Sequence, residues 1–455
     1  MNNANAETYA MITEEERDEY LHSDVINFMV GHDGEPEWGF SAQCNALYKI
    51  DIHNATAEYV SSVPGEKNIS LAYLFPMKIN NKLFLSPVLS RNFAIFDIDS
   101  VKWTKIPIPS YAAPAKNTYP AFGGAIHCGD YLLICPGTSG IFAKYDIASG
   151  EFSFHDHWVN EFKPNIVDSN KVLLLGGCFD DTRMYFPSPQ CNVVTELNPK
   201  DMSFVLHQVG KKTNTYCGIT YARDSFWLIK YPASGDYDLC AELVEWRPDT
   251  GKYIEHTNLP VTRDKSRTGR AFSHILTSCD DIFLFPWHSD NIIKFDTRTK
   301  KSELFKPKPE FNYFDRKGKH STWGGGVAMP WVRQEGAASY PWKKANFDSS
   351  VVYIQSPTDY SLIILNLSTG EYTKKKWRVN GAKYLLAKID PPDSVPFAPR
   401  YETVLYWLSL YLDELVSSEL PLLNIEKRDC FHFLHGDAGG LAGKKIYEHV
   451  KKMVL

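Results

Sequence analysis

The chain of 455 residues is poor in several features that would fix its class at once. Its nine cysteines include no CxxC pair and mostly sit in or beside apolar segments, which argues for buried free thiols over a zinc site or a disulfide framework. No apolar run, KVLLLGGC among the longest, approaches the ~18 residues that a membrane-spanning helix takes. The amino terminus, MNNANAETYAMITEEERDEY, is acidic where a secretory leader is basic. A cytoplasmic location is therefore expected, and the sequons at Asn54, Asn68 and Asn366 carry no weight. Neither sign of charge dominates: 49 Lys and Arg against 54 Asp and Glu leave −5, so neither nucleic acid nor membrane is expected as a partner. HExxH and EF-hand patterns are missing. GGLAGKK near the carboxyl terminus fails as a phosphate loop, with Ala438 where the first glycine belongs and Lys445 where Ser or Thr would meet magnesium. No metal site and no cofactor is expected.

What the chain has in quantity is aromatic residues, 14% of the total, which lean toward strands. It also has a repeat. An apolar strand runs into an Asp or Asn, a short polar turn follows, and a second strand opens near an aromatic. Copies anchor at Asp51, Asp97, Asp146, Asn198, Arg247, Asp296 and Asn366, spaced by 46, 49, 52, 49, 49 and 70 residues. The residue before each anchor is large and apolar, from Ile50 to Leu365, and the sixth after it is aromatic in five copies: Trp103, Phe152, Phe204, Tyr253 and Tyr372. An Asp or Asn side chain can bond backbone two residues on, which fixes a tight turn between antiparallel strands. Upstream lies a second hairpin, with Asn80-Asn81 or Gly129-Asp130 at its turn. Each unit is thus about four short strands. A sheet that small cannot bury both faces, so copies pack on one another. The expected fold is all-β: a seven-bladed β-propeller with four-stranded antiparallel blades.

The ends refine this picture. The first copy offers one candidate inner strand, DVINFMVG, and the segment 381–390, GAKYLLAKID, reads as a spare strand that completes blade one and closes the ring. The segment 331–347 reads as an excursion between two strands of blade seven. Past Pro391-Pro392, Tyr401, Val404, Leu405, Leu408, Leu412 and Leu415 form one helical stripe, so 391–455 is expected to be a helical tail packed on the propeller. Thr13 and Glu16 form a capping box in a short helical segment over 1–21, leaving 22–390 for the propeller.

The spacing from Asp97 to Trp103 in FDIDSVKWTKIPIP, with Gly123-Gly124 and Gly176-Gly177, resembles the kelch repeat of galactose-oxidase-type propellers. Only blade two keeps the Trp, and no blade has the full diglycine, Tyr and Trp set. The resemblance spans about 22–390 and implies the fold; kelch-like propellers include enzymes, glycan binders and interaction scaffolds. The ending HGDAGGLAGKKIYEHVKK is similar to short tails of bacterial enzymes of cell-surface polysaccharide synthesis, which implies a bacterial origin.

A propeller's usual ligand site is the mouth of its channel. Loops assigned to that mouth hold Trp38 in GHDGEPEWGF, Arg91 in LSRN, and Asp180, Arg183 and Tyr185 in CFDDTRMYFP. Trp287 and His288 come from PWHSD, Arg267 from the basic loop TRDKSRTGRAF, and His320 and Trp323 from KGKHSTW. Aromatic faces stack on sugar rings, while Arg and carboxylates bond acids or hydroxyls. The expected function is therefore non-catalytic binding of a carbohydrate-like or anionic molecule, linked through the tail resemblance to bacterial cell-surface polysaccharide metabolism. Two alternatives stand beside it. One is a carbohydrate-active enzyme, a polysaccharide lyase or glycoside hydrolase, using His320, His288, Tyr185 or Arg183. The other is a protein-interaction scaffold whose helical tail makes the contact.

Overall fold

The computed structural model describes residues 28–31, 37–41, 45–66, 72–111, 122–167, 173–179, 182–232, 242–261, 271–286, 289, 291–308, 330–331, 342–343, 350–355, 361–375 and 377–380. They form seven sheets in sequence order, each with four antiparallel strands. Blade 1 holds β1 (Phe28–Gly31), β2 (Glu37–Ser41), β3 (Leu47–Asp51) and β4 (Thr56–Ser61). Blade 2 holds β5 (Tyr73–Ile79), β6 (Lys82–Pro87), β7 (Asn92–Asp97) and β8 (Lys102–Pro107), and blade 3 β9 (Phe122–Cys128), β10 (Tyr131–Pro136), β11 (Phe142–Asp146) and β12 (Phe152–His155). Blade 4 follows with β13 (Cys178–Phe179), β14 (Met184–Pro187), β15 (Val193–Leu197) and β16 (Phe204–Gln208). Blade 5 is β17 (Asn214–Ala222), β18 (Ser225–Pro232), β19 (Leu243–Trp246) and β20 (Tyr253–His256). Blade 6 is β21 (Phe272–Ser278), β22 (Asp281–Pro286), β23 (Ile293–Asp296) and β24 (Lys301–Leu304). Blade 7 takes β25 (Pro330–Trp331), β27 (Val351–Gln355), β28 (Leu362–Asn366) and β29 (Tyr372–Lys375), with β26 (Trp342–Lys343) and β30 (Arg378–Asn380) left over for other sheets.

The repeat has a simple physical basis. In every blade the residue before the anchor pairs across the sheet with the sixth residue after it, as Phe96 with Trp103 and Tyr145 with Phe152, whose rings lie 4.8 Å apart in both pairs. Such aromatic cross-strand pairs stabilise a hairpin. The turn between them is set by the anchor side chain: Asp97 Oδ1 accepts from the Ser100 amide at 2.8 Å, and Asn366 Oδ1 from Ser368 and Thr369 at 2.9 and 3.1 Å. The fourth residue after the anchor then turns left-handed in all seven copies. Gly150, Gly251 and Gly370 do so at no steric cost, whereas Ala55, Val101, Met202 and Lys300 adopt φ between 51° and 61° despite their Cβ atoms. At the other hairpins Arg223-Asp224 and Cys279-Asp280 both have positive φ, the geometry that matches strand twist in a two-residue turn.

Blades stack through apolar faces. Met77, Phe84 and Phe93 of blade 2 meet Phe122, Leu132 and Tyr145 of blade 3, and comparable clusters join blades 1 and 2, 3 and 4, 4 and 5, 5 and 6, and 6 and 7. First strands abut the first strands of neighbouring blades, which places them around the axis. The fourth strands β8, β16 and β20 hold only half-buried and exposed residues, as an outer wall should.

Some features depart from the pattern in the sequence. Blade 1 needs no borrowed inner strand, because Glu37–Ser41 supplies β2, with Trp38 and Phe40 packed toward blade 2. Its Gly- and Pro-rich flank disguised it as loop. The chain does return to blade 1, but β30 adds in parallel to the outer edge of β4. The segment 381–390, the tail 391–455 and the segment 1–21 lie outside the described residues. A short helix, α1 (Val159–Phe162), buries Trp158 and Phe162 between blades 3 and 4; nothing in the sequence reading anticipated it.

Candidate functional site

Strand alternation divides the connections between two ends of the ring. First-to-second and third-to-fourth turns leave at one end, here the turn end. Second-to-third connections and those joining blades leave at the other, the loop end. Most turn-end connections are minimal, such as Asn80-Asn81, Gly129-Asp130 and 297–300. Most long ones lie at the loop end, 62–72, 108–121, 156–177, 233–242, 257–271 and 305–329, while 332–350 is a long one at the turn end. Charge divides the same way. Loop-end connections carry sixteen Lys and Arg against twelve Asp and Glu, turn-end connections ten against fourteen. In a chain of net charge −5, this polarity favours anions at one end only.

The described base of the loop end is a ring of serine turns. Ser90, Ser139, Ser188 and Ser289 each accept, through Oγ, the amide two residues on, at 3.0–3.3 Å. Their loops are pinned to the start of a first strand, as Ser90 N bonds Ala72 O and Ser289 N bonds Ala271 O. Ser90 Oγ also donates to Tyr73 Oη at 2.9 Å, and burial pushes the Tyr73 phenol upward, so it stays protonated. Asn92 Nδ2 donates to Glu66 Oε1 at 2.6 Å. Arg91 sits between these fixed residues, exposed at the tip of its turn. In blade 5, Lys230 lies 2.5 Å from Glu242 and 3.6 Å from Glu255, so its cation is already matched.

The boundaries between blades hold different chemistry. Glu196 meets Arg183 Nε at 3.1 Å and His207 Nε2 at 2.7 Å, with His207 edge-on to Trp246 of blade 5. Forty-nine residues on, the same offsets recur. Buried Glu245 accepts from Ser225 Oγ at 3.1 Å and Lys300 Nζ at 2.7 Å, while His256 approaches it at 3.7 Å and packs edge-on to Phe295 of blade 6. Burial pushes the Glu245 carboxyl up, but Lys300, Ser225 and His256 together outweigh it and leave the group below its usual range. Burial holds His256 below the usual imidazole value. Trp227 completes this cluster, with Lys300 Nζ 4.5 Å above its ring. Both clusters bind blade to blade. Among the described residues no three His, Cys, Asp or Glu side chains gather as a metal site, and no helix is long and apolar enough to cross a membrane.

The structure therefore sorts the expected site residues. Arg91 stands at the loop end. Trp38 and Tyr185 begin second strands, and Arg183 closes a first-to-second turn, so all three sit toward the turn end. Trp38 and Tyr185 are buried between blades, Tyr185 with its ring 4.2 Å from Phe226. Asp180, Arg267, Trp287, His288, His320 and Trp323 lie outside the described residues; by chain position the last five belong to loop-end connections. Glu196, His207, Glu245 and His256 were missed, although their common 49-residue offset was available in the sequence.

No protein-family model matches the chain, and no curated protein does. Among solved structures it is similar to virginiamycin B lyase from Staphylococcus aureus, at 10% identity and TM-score 0.45, covering 74% of this chain and 95% of that one. A streptogramin B lyase structure gives 12% identity and TM-score 0.45 over 74% of this chain and 92% of the other. The extracellular domain of a one component system from B. thetaiotaomicron gives 10% and 0.43, over 74% of this chain and 38% of that one. The seven-bladed ring itself is read from the strand pairing of this chain.

Proposed function

We propose that the protein binds an anionic, carbohydrate-like molecule at the loop end of its ring, without turning it over. The supporting observation is the coincidence of most long connections with an excess of positive charge at one end, opposite an end of mostly short turns with an excess of negative charge. Arg91 and Arg267 are assigned to the acid groups, Trp287 and Trp323 to stacking on sugar faces, and His288 and His320 to hydroxyls.

A calorimetric screen of uronic and sulfated saccharides tests this. Arg267→Ala and Trp287→Ala should each weaken a hit by about 1–3 kcal/mol, roughly 5- to 150-fold, the scale of a lost charged or stacked contact. A screen without a hit, or a hit untouched by both substitutions, contradicts the assignment.

A further inference from the structure

The outer edge of a blade bears a row of backbone groups that can template a further strand. Most of these edges are taken or guarded. Blade 1 gives its edge to β30, and Lys308 bridges to Glu371 where the edge of blade 7 begins. Exposed Lys102, Lys301 and Lys374 stand on the fourth strands of blades 2, 6 and 7. The fourth strands of blades 3, 4 and 5 have no lysine. On blade 3, Tyr111 lies edge-on to Phe154, and on blade 5 the strand carries Glu255. That leaves β16 of blade 4, FVLHQ, without lysine or carboxylate and with its imidazole already engaged by Glu196. It ends its sheet, and no described strand pairs with its outer side. Asn198 N bonds Ser203 O and Val209 N bonds Asn192 O, both at 2.8 Å, so alternate residues from 203 to 209 turn their backbone groups toward β15. The amides and carbonyls of Phe204, Leu206 and Gln208 therefore point outward, with Val205 51% exposed between them.

We infer that this edge takes an extended peptide as a further strand, one that is β-branched in its middle and acidic at both ends. Charge sets the ends. Lys200 in the turn before β16, and Lys211 and Lys212 just after it, are exposed and meet no carboxylate among the described residues. Asp201, the one acid in those two connections, is occupied by Ser203, which donates through its amide and hydroxyl at 2.9 and 2.6 Å. A strand laid along β16 thus meets lysine at either end and an uncharged edge between. β30 on blade 1 shows that an outer edge of this ring accepts an added strand. A second copy of the chain fits less well, because antiparallel pairing of β16 with itself brings the same lysines together. The edge is separate from the proposed saccharide site, and neither depends on the other.

Residue-resolved hydrogen exchange on the full chain tests this, with a synthetic peptide holding Val-Thr-Val-Thr-Val between paired glutamates. In the free protein the amides of Phe204, Leu206 and Gln208 should exchange fast, while those of Val205 and His207 are slow. Saturating peptide should slow the first three. Slow exchange at all five without peptide shows an edge already paired, by this chain or a second copy, and overturns the proposal; sedimentation then tells those two apart. No slowing with peptide up to about 1 mM, or slowing confined to the edges of blades 3 and 5, overturns it as well. The same core between paired lysines should bind at least about ten-fold more weakly, and equal binding overturns the acidic class. In a variant carrying Lys211→Glu and Lys212→Glu, the lysine-flanked peptide should gain on the glutamate-flanked one. An unchanged preference in a variant that melts like the wild type contradicts the role of those lysines. If the variant does not fold, the two peptides compared on the wild type decide the charge class.

Discussion

Lys300 reaches across the boundary between blades 5 and 6 to donate to Glu245 Oε2 at 2.7 Å, from a backbone turned left-handed at φ 60°. The strained turn thus delivers a cation to a buried carboxylate. Glu245→Gln removes that charge and should cost about 1–2 kcal/mol, moderated because the lysine is partly exposed. Urea unfolding measures it, and an unchanged midpoint contradicts the role.

The same boundary should be sensitive to acid. His256 is held below its ordinary value of 6.5, so the folded state resists its protonation; its contribution is complete above 6.5 and is lost as pH falls toward the depressed value. Glu245, held below 4.5, contributes above that value and is lost as pH falls further. Both act in one direction. Melting temperature should fall from pH 7 to 5, and His256→Phe should flatten that slope. A slope unchanged in the variant argues against it.

Val101 is a β-branched, 58% exposed residue at φ 55°, in the position where three other blades place glycine. Val101→Gly relieves the clash with little packing lost. After the added chain entropy, a gain of about 0.5–1 kcal/mol is expected in urea unfolding. A loss of stability refutes the strain.

At the anchors, the acceptor oxygen matters more than the charge, because Asn198 and Asn366 make the same turn bonds as the aspartates. Asp296→Asn should leave the melting temperature nearly unchanged, and Asp296→Ala should lower it. Equal effects would show that the charge, not the bond to Arg298 and Thr299, holds the turn.

Phe93 is buried between blades 2 and 3, with its ring 4.3 Å from Phe152 and 5.2 Å from Phe122. Phe93→Ala opens a cavity at a blade boundary and should cost about 3–5 kcal/mol in urea unfolding. A cost below about 1 kcal/mol would show that the blades hold together without this contact.

The ring was legible because anchor, preceding apolar residue and later aromatic are bound together in one cross-strand geometry, so Phe96 and Trp103 report on each other. The left-handed fourth position was written less plainly: Gly150, Gly251 and Gly370 mark it, but Ala55, Val101, Met202 and Lys300 are forced into it by the turn bonds. The site was legible only as a set of residue types. Arg91 and Arg183 look alike in sequence, each beside a short turn, yet successive turns of a blade leave at opposite ends. Only knowing which strand is first separates them. The β2 strand hid for a related reason, since the Gly and Pro before Trp38 signal loop more strongly than two alternating aromatics signal strand.

The end of the ring that holds the ligand is the property to measure. A galacturonate tetrasaccharide carrying a photoreactive group at one terminus, irradiated with the wild-type protein and digested, addresses that directly. Label in peptides spanning 88–91, 262–270, 287–292 or 309–329 is the predicted result. Label confined to turn-end peptides, such as 98–101 or 147–151, would contradict it.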